Sequence, residues 1–346
     1  MKARWLVSVV MMVALASVSL AGTGIGKYAG EFISLGVGGR ALGMGGAFVA
    51  LANDVTAGYW NPAGLSHINY PQIALMHDER YGSLVNYDYG AVAMPVGPSS
   101  SWGISVLRLG VSDIVDNRNA GLDINGNYTV DPTKIRAYDQ SKLKYFNAAD
   151  WAFYLTYSKK QSDDFSYGAN LKVIRRELGD ASATGIGFDI GLWYTPMENV
   201  VLGVNLQDVT TTFLAWNTGT NELISPTMKI GTAYFIEAFG GRFAPALDFD
   251  IRFENRKSAS TFALGPVSFD PHIGTEFMFK DVVAFRVGYN DVKQMSFGAG
   301  LHLPKLNIDY SFARFAQAAG ERLEDTHRVS LMFTLEADEF KRVNEF

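Results

Sequence analysis

The five histidines, His67, His77, His272, His302 and His327, lie far apart, and no pair has the spacing that puts two imidazoles on one metal ion. The chain has no cysteine, so thiol nucleophiles, thiolate metal ligands and disulfides are excluded. Neither a Gly-x-Ser-x-Gly elbow nor a phosphate-cradling P-loop occurs. Gly36-x-Gly38 lacks the third glycine and the preceding buried strand of a dinucleotide loop. The stretch LDINGNYTVD, Leu122 to Asp131, sets Asp123, Asn125 and Asn127 at alternate positions like the start of a calcium loop. However, Tyr128 stands where that loop needs glycine and Lys134 where it needs Glu, so it reads as a polar surface turn. No nucleophile, base and orienter can be assembled, which points to a non-catalytic protein without cofactor or metal.

The ionisable residues fall into rows instead. Asp248, Asp250, Arg252 and Glu254 alternate with Leu247, Phe249, Ile251 and Phe253, so one side of one strand would carry four consecutive ionisable groups. Glu276 and Arg286 would stand opposite one another if a hairpin turns at Asp281. Opposite charges on neighbouring inward positions suggest a cavity braced by ion pairs among Glu276, Arg286, Asp248, Asp250 and Arg252. The alternative is separately hydrated charges, since an exposed pair contributes only about 0–1 kcal/mol.

The elements that must position these rows are strands. In LNIDYSFARF, Leu306, Ile308, Tyr310 and Phe312 alternate with Asn307, Asp309, Ser311 and Ala313. Val283 to Asn290, Ile186 to Leu192 and Val329 to Leu335 repeat the same period of two, which means strands with two unlike faces. A composition 48% hydrophobic and 13% aromatic, with 35 glycines and 11 prolines, excludes disorder and favours many strands.

Fourteen candidate strands follow, near 71–78, 84–95, 101–111, 150–157, 165–175, 184–195, 200–207, 227–236, 244–254, 271–279, 282–290, 295–303, 306–314 and 327–335. The even-numbered joints are short, whereas the odd ones include the polar excursions Ser112 to Ala149, Asp208 to Pro226, Asn255 to Asp270 and Phe315 to Thr326. Aromatic residues such as Trp102, Trp151, Tyr157, Tyr194, Tyr234, Phe279 and Tyr289 gather toward strand ends, as in interfacial girdles.

Lys2 and Arg4 followed by the apolar Trp5 to Leu20 and the small-x-small Ser19-Leu20-Ala21 read as an export signal, the alternative being an N-terminal anchor. Without Lys2 and Arg4 the net charge moves from −5 to −7, which argues against nucleic-acid partners. No later apolar run reaches the length of a spanning helix. The closed β-barrel is then the only spanning structure left, because backbone groups in lipid need internal partners. A soluble sandwich would also alternate, but it has no reason to sort short joints to one end and long ones to the other.

The expected fold is therefore all-β, a transmembrane antiparallel barrel of about 14 strands. Residues 1–21 would be the signal, 22–68 a preceding segment, 69–336 the barrel and 337–346 a charged tail. Charged replacements at Ile308 or Val287 should impair insertion, while the same change at Ser311 should be mild.

Gly36 to Ser66, GVGGRALGMGGAFVALANDVTAGYWNPAGLS, is glycine-rich and not strand-like. Asn53-Asp54 could cap a short helix over Val55 to Tyr59, ended at Asn61-Pro62. The motifs Gly39-Arg40-Ala41, Gly43, Gly45-Gly46-Ala47, Ala52-Asn53-Asp54 and Trp60-Asn61-Pro62-Ala63-Gly64-Leu65 resemble the N-terminal signature of FadL-like outer-membrane proteins, most of all the PorV/PorQ branch.

That resemblance implies a cell outer membrane of Gram-negative type, with membrane lipid around the barrel and the N-terminal segment inside it as a plug or hatch. Gly39, Arg40, Asn53, Asp54, Asn61 and Pro62 would hold the hatch. PorV-type members serve type IX secretion, so exported proteins or secretion subunits would meet the loops Ser112 to Ala149 and Asp208 to Pro226. The alternative is FadL-type passive uptake of hydrophobic small molecules, such as long-chain fatty acids, by diffusion through the barrel and its wall. The tail Ala337 to Phe346 departs from the usual end at a final aromatic strand, leaving Phe333 and Phe346 as rival terminal signals.

Overall fold

The computed structural model of the chain describes residues 30–80, 84–254, 260–315 and 325–342. The expected signal (1–21), Phe346 and most of the Phe315 to Thr326 joint lie outside the described residues.

Fourteen strands build one wall: β1 Gln72–Arg80, β2 Val85–Val96, β3 Ser100–Asp116, β4 Lys144–Lys160, β5 Phe165–Leu178, β6 Ala181–Met197 and β7 Val200–Gln207. They continue as β8 Thr227–Tyr234, β9 Gly241–Arg252, β10 Val267–Phe279, β11 Val283–Tyr289, β12 Gln294–Leu303, β13 Leu306–Phe315 and β14 Thr326–Thr334. Each pairs antiparallel with the next, and β14 returns to β1 from Gln72↔Thr334 to Glu79↔His327, closing the barrel. No sheet edge is left along the wall.

Period two becomes two environments. Ile186, Phe188, Phe285, Phe297 and Tyr310 stand exposed on the outside, while Asp189, Arg286, Asp309 and Ser311 are buried inside. No second sheet covers the apolar rows among the described residues, so the exterior is a hydrocarbon-facing surface and the sandwich alternative falls.

The lumen, however, is packed. Val37, Met44, Phe48, Ala57 and Ala63 of the N-terminal segment are all 0% exposed. Gly30 lies against Ile224 near the end with the long joints, and Ile68 lies at the other end, so the segment threads the barrel lengthwise as a hatch. Ser311 is also 0% exposed, which corrects the expectation of a mild effect there: its side faces packed protein rather than water.

Inside the hatch, α1 (Gly39–Gly43) was not predicted, and α2 occupies Ala57–Trp60 rather than Val55 to Tyr59. Asp54 does not cap α2; its carboxylate accepts from Thr56 N (2.8 Å) and Thr56 Oγ1 (2.5 Å), which delays the helix to Ala57. Asn61 ends α2 and also starts a 3₁₀ helix, Pro62–His67, by accepting from Ala63 N at 3.2 Å.

The long excursions are partly wall. β3 and β4 run on to Asp116 and from Lys144, and the Asp208 to Pro226 loop folds into a hairpin, Thr212–Trp216 with Asn221–Ile224, that pairs with β6. Beyond the lipid both faces meet water, so the ladder continues without the alternation that marks it in sequence.

Candidate functional site

The hatch is seated on a wall built to receive backbone. Inward positions of β5, β7, β10 and β11 carry Gly168, Gly203, Gly274 and Gly288. A Cβ at Gly168 would lie 2.5 Å from Pro62 O, one at Gly203 2.5 Å from Val49 O, and those at Gly274 and Gly288 would strike Met44. Removing the side chain from the wall is what lets the hatch main chain come close.

Polar wall residues then satisfy the hatch backbone. Asp248 Oδ2 accepts from Phe48 N (2.6 Å) and Val49 N (2.7 Å). Asn170 Nδ2 donates to Gly58 O (2.8 Å), Asn205 Nδ2 to Trp60 O (2.9 Å), and Ser330 Oγ accepts from Gly39 N (2.9 Å). Asn61 Nδ2 bridges Val49 O and Leu192 O at 3.0 Å each. Short helices without regular partners need this, because each buried N–H or C=O left unpaired is costly.

Asp248 is thus a correction to the expected ion-pair row: its carboxylate receives hatch amides instead. The other expected members do carry charge contacts. Arg286 Nε lies 2.6 Å from Glu276 Oε2 and Arg286 Nη1 2.6 Å from Asp309 Oδ1, with Glu276 and Arg286 direct partners in the β10–β11 register. Arg40 of the hatch joins them, Nη2 to Glu276 Oε1 at 3.0 Å and Nη1 to Asp54 Oδ2 at 3.2 Å, and Nη1 also donates to Asn53 Oδ1 at 2.9 Å. Asp250 pairs with Lys229 and lies 3.9 Å from Arg252.

Gly39, Arg40, Asn53 and Asp54 therefore gather at one end of the hatch, and Asn61 and Pro62 hold another part of it against Gly191 and Gly168. Sequence reading missed Lys172, buried between Asp189 (3.1 Å) and Asp208 (2.8 Å), and Arg328, whose Nε meets Asp78 at 3.0 Å. Their inward parity on β5 and β14 was the available signal.

Two cavities flank the hatch. The upper one, about 440 Å³, opens toward the end with the long joints and combines Leu35, Leu42, Trp60 and Val292 with Arg80 and Arg328. The lower one, about 250 Å³, reaches the short-turn end at Arg242 and Asp281 and is lined by Arg40, Glu276, His302 and Asp309. Among the described residues no group of three or more His, Cys, Asp or Glu is arranged around a metal position.

Solved structures with this architecture include the CymD monoaromatic hydrocarbon channel (TM-score 0.59, 14% identity, 88% of this chain and 98% of that one). The toluene transporter TodX of P. putida aligns with TM-score 0.57 and 13% identity over 90% of this chain and 99% of its own. A Pseudomonas aeruginosa FadL homologue gives 0.53 and 12%, covering 86% and 98%. At such identities the likeness is one of fold: a closed antiparallel barrel of the kind those outer-membrane proteins share. In sequence, the chain is 29% identical over 155 residues to a UPF0164 protein of Treponema pallidum (strain Nichols); the match covers 45% of this chain and 35% of that relative's length. A family model matches residues 7–189, hatch and first strands together and more than half of the sequence, so the chain belongs to the uncharacterised protein family UPF0164.

Proposed function

We propose that this protein is a passive outer-membrane channel, closed at rest by its hatch, that admits small molecules with a hydrophobic part. The observation that carries this reading is the upper cavity, open to the exterior end and half apolar, lying directly on a hatch that fills the lumen. A barrel serving only as a scaffold has no need of a chamber above its plug. Two of the similar solved structures are a monoaromatic hydrocarbon channel and a toluene transporter, which supports the same class of cargo. Of the two loops assigned to partners under the PorV/PorQ resemblance, Asp208 to Pro226 is tied to the wall as a hairpin and Ser112 to Ala149 joins it only at its ends, so the secretion role has less support than uptake.

Trp60 provides the test, since its ring lines the cavity floor. A bromine-substituted fatty acid titrated into the detergent-purified protein should quench tryptophan fluorescence saturably, and Trp60→Phe should abolish the saturable part. Quenching that is linear, or unchanged in Trp60→Phe, would remove the cavity from the uptake path.

A further inference from the structure

The two cavities lie on opposite sides of one short stretch of hatch. Gly36, Leu42, Gly45 and Gly46 face the upper cavity, and Gly38, Arg40 and Ala41 face the lower. This stretch contains only the five-residue α1, and its flanking glycines Gly36, Gly38, Gly45 and Gly46 have φ of 82°, 81°, 66° and 84°. Such angles are open to glycine at little cost, so both ends of α1 are suited to act as hinges. What holds α1 in place includes the Gly39 N to Ser330 Oγ bond and the Arg40–Glu276 pair.

Beside the lower cavity the described wall has no comparable weak point. The lower cavity comes nearest the outer surface at β14, β1 and β2, where Leu75, Met76, Tyr89 and Leu331 line both it and an apolar groove on the lipid side. There the ladders are unbroken, with Leu331 opposite Leu75, Leu75 opposite Gly90 and Gly90 opposite Val106. Opening that wall would strip backbone groups of their partners within lipid, where nothing replaces them. Displacing α1 breaks side-chain bonds inside a polar lumen.

We infer that the permeant passes from the upper to the lower cavity by displacement of Gly36–Gly46 and leaves at the short-turn end into water, not sideways through the wall. It is an amphiphile with a charged end, because both stations set apolar surface beside ionised groups. In the upper these are Leu42 and Trp60 with Arg80 and Arg328; in the lower, Met76, Met278 and Met332 with Arg40 and Asp281. This rests on the uptake reading above and adds its route and cargo class.

Two cross-links test it, in a chain with no native cysteine. Gly39→Cys with Ser330→Cys locks α1 to β14, a Cβ at Gly39 lying 3.0 Å from Ser330 Oγ and 2.9 Å from Asp309 O, so α1 shifts slightly off β13 to accept it. His77→Cys with Val329→Cys, which border the lipid-side groove and not the lower cavity, locks the same seam of the wall between direct strand partners. The probe is radiolabelled benzenesulfonate, whose permanent charge keeps it from crossing lipid, and the readout is its entry into the lumen of protein-containing vesicles. Wild type and the oxidised wall variant should admit it alike. The oxidised hatch variant should match empty vesicles and recover on reduction, which also shows that it is folded. Arg40→Ala, which needs no cross-link, should admit it faster. Entry through the oxidised hatch variant, a block by the wall cross-link, or an unchanged rate in Arg40→Ala each overturns the route. No entry with wild type overturns the uptake reading itself.

Discussion

Arg40 sets Nε and Nη2 against the two carboxylate oxygens of Glu276, each at 3.0 Å, across 236 positions of sequence. The fork ties the hatch to β10, and Arg286 holds the same carboxylate from β11 at 2.6 Å. Arg40→Ala leaves Glu276 still paired, so the loss should fall at the low end for a broken buried pair, about 3 kcal/mol. Arg40→Lys should recover little, since a point charge cannot span both oxygens. Limited proteolysis in detergent is the check: cuts should appear in the hatch of Arg40→Ala while heat-modifiable gel migration of the barrel stays. A hatch as resistant as wild type would show that the pair does not hold it.

The two faces of β13 should respond to charge for different reasons. Ile308→Arg puts a cation in hydrocarbon and should cost about 2–4 kcal/mol near mid-depth. Ser311→Arg should also impair assembly, because the site is 0% exposed and has no room. Deleting residues 30–68 separates the causes: an emptied lumen should tolerate arginine at 311 and still reject it at 308. Refolding into lipid vesicles, read by gel migration, measures both, and equal rescue at the two positions would refute the face assignment.

All fourteen strands were legible, and Val200–Gln207 to the residue, because lipid outside and a polar lumen inside enforce period two on every spanning segment. The hatch was legible as a non-strand of small residues, but not its seat. Arg40 and Glu276, or Val49 and Asp248, are joined only by the closed barrel, and no local pattern encodes contacts that distant. Wall glycines such as Gly191 and Gly288 occupied the polar side of the alternation without showing what they made room for. The strand extensions above the membrane lost their signal where neither face had to be apolar.

Those glycines yield a steric prediction. Gly203→Val places a Cβ 2.5 Å from Val49 O, so the hatch must shift off β7. Gly90→Ala, on the lipid side, meets nothing nearer than 3.8 Å and should be silent. The first should cost at least about 1–3 kcal/mol, the usual range for an overfilled core. It should also expose the hatch to protease, and a protected hatch in Gly203→Val would mean that close backbone approach is dispensable.

His67 closes the base of the hatch, its ring centroid 4.7 Å from that of Trp193. Burial pushes the imidazole down to about 4 from its ordinary 6.5, and the positive charges of Lys160 and Arg342 act in the same direction. The folded protein therefore stays unprotonated where the unfolded chain takes up a proton. This contribution to stability is complete above pH 6.5 and declines as pH falls toward 4. A shift of that size corresponds to at most about 3 kcal/mol. His67→Phe keeps a ring on Trp193 but has nothing to protonate, so its unfolding midpoint should fall less than that of wild type on acidification. Parallel midpoints for the two proteins across that interval would mean that His67 titrates normally and that the hatch base is open to water.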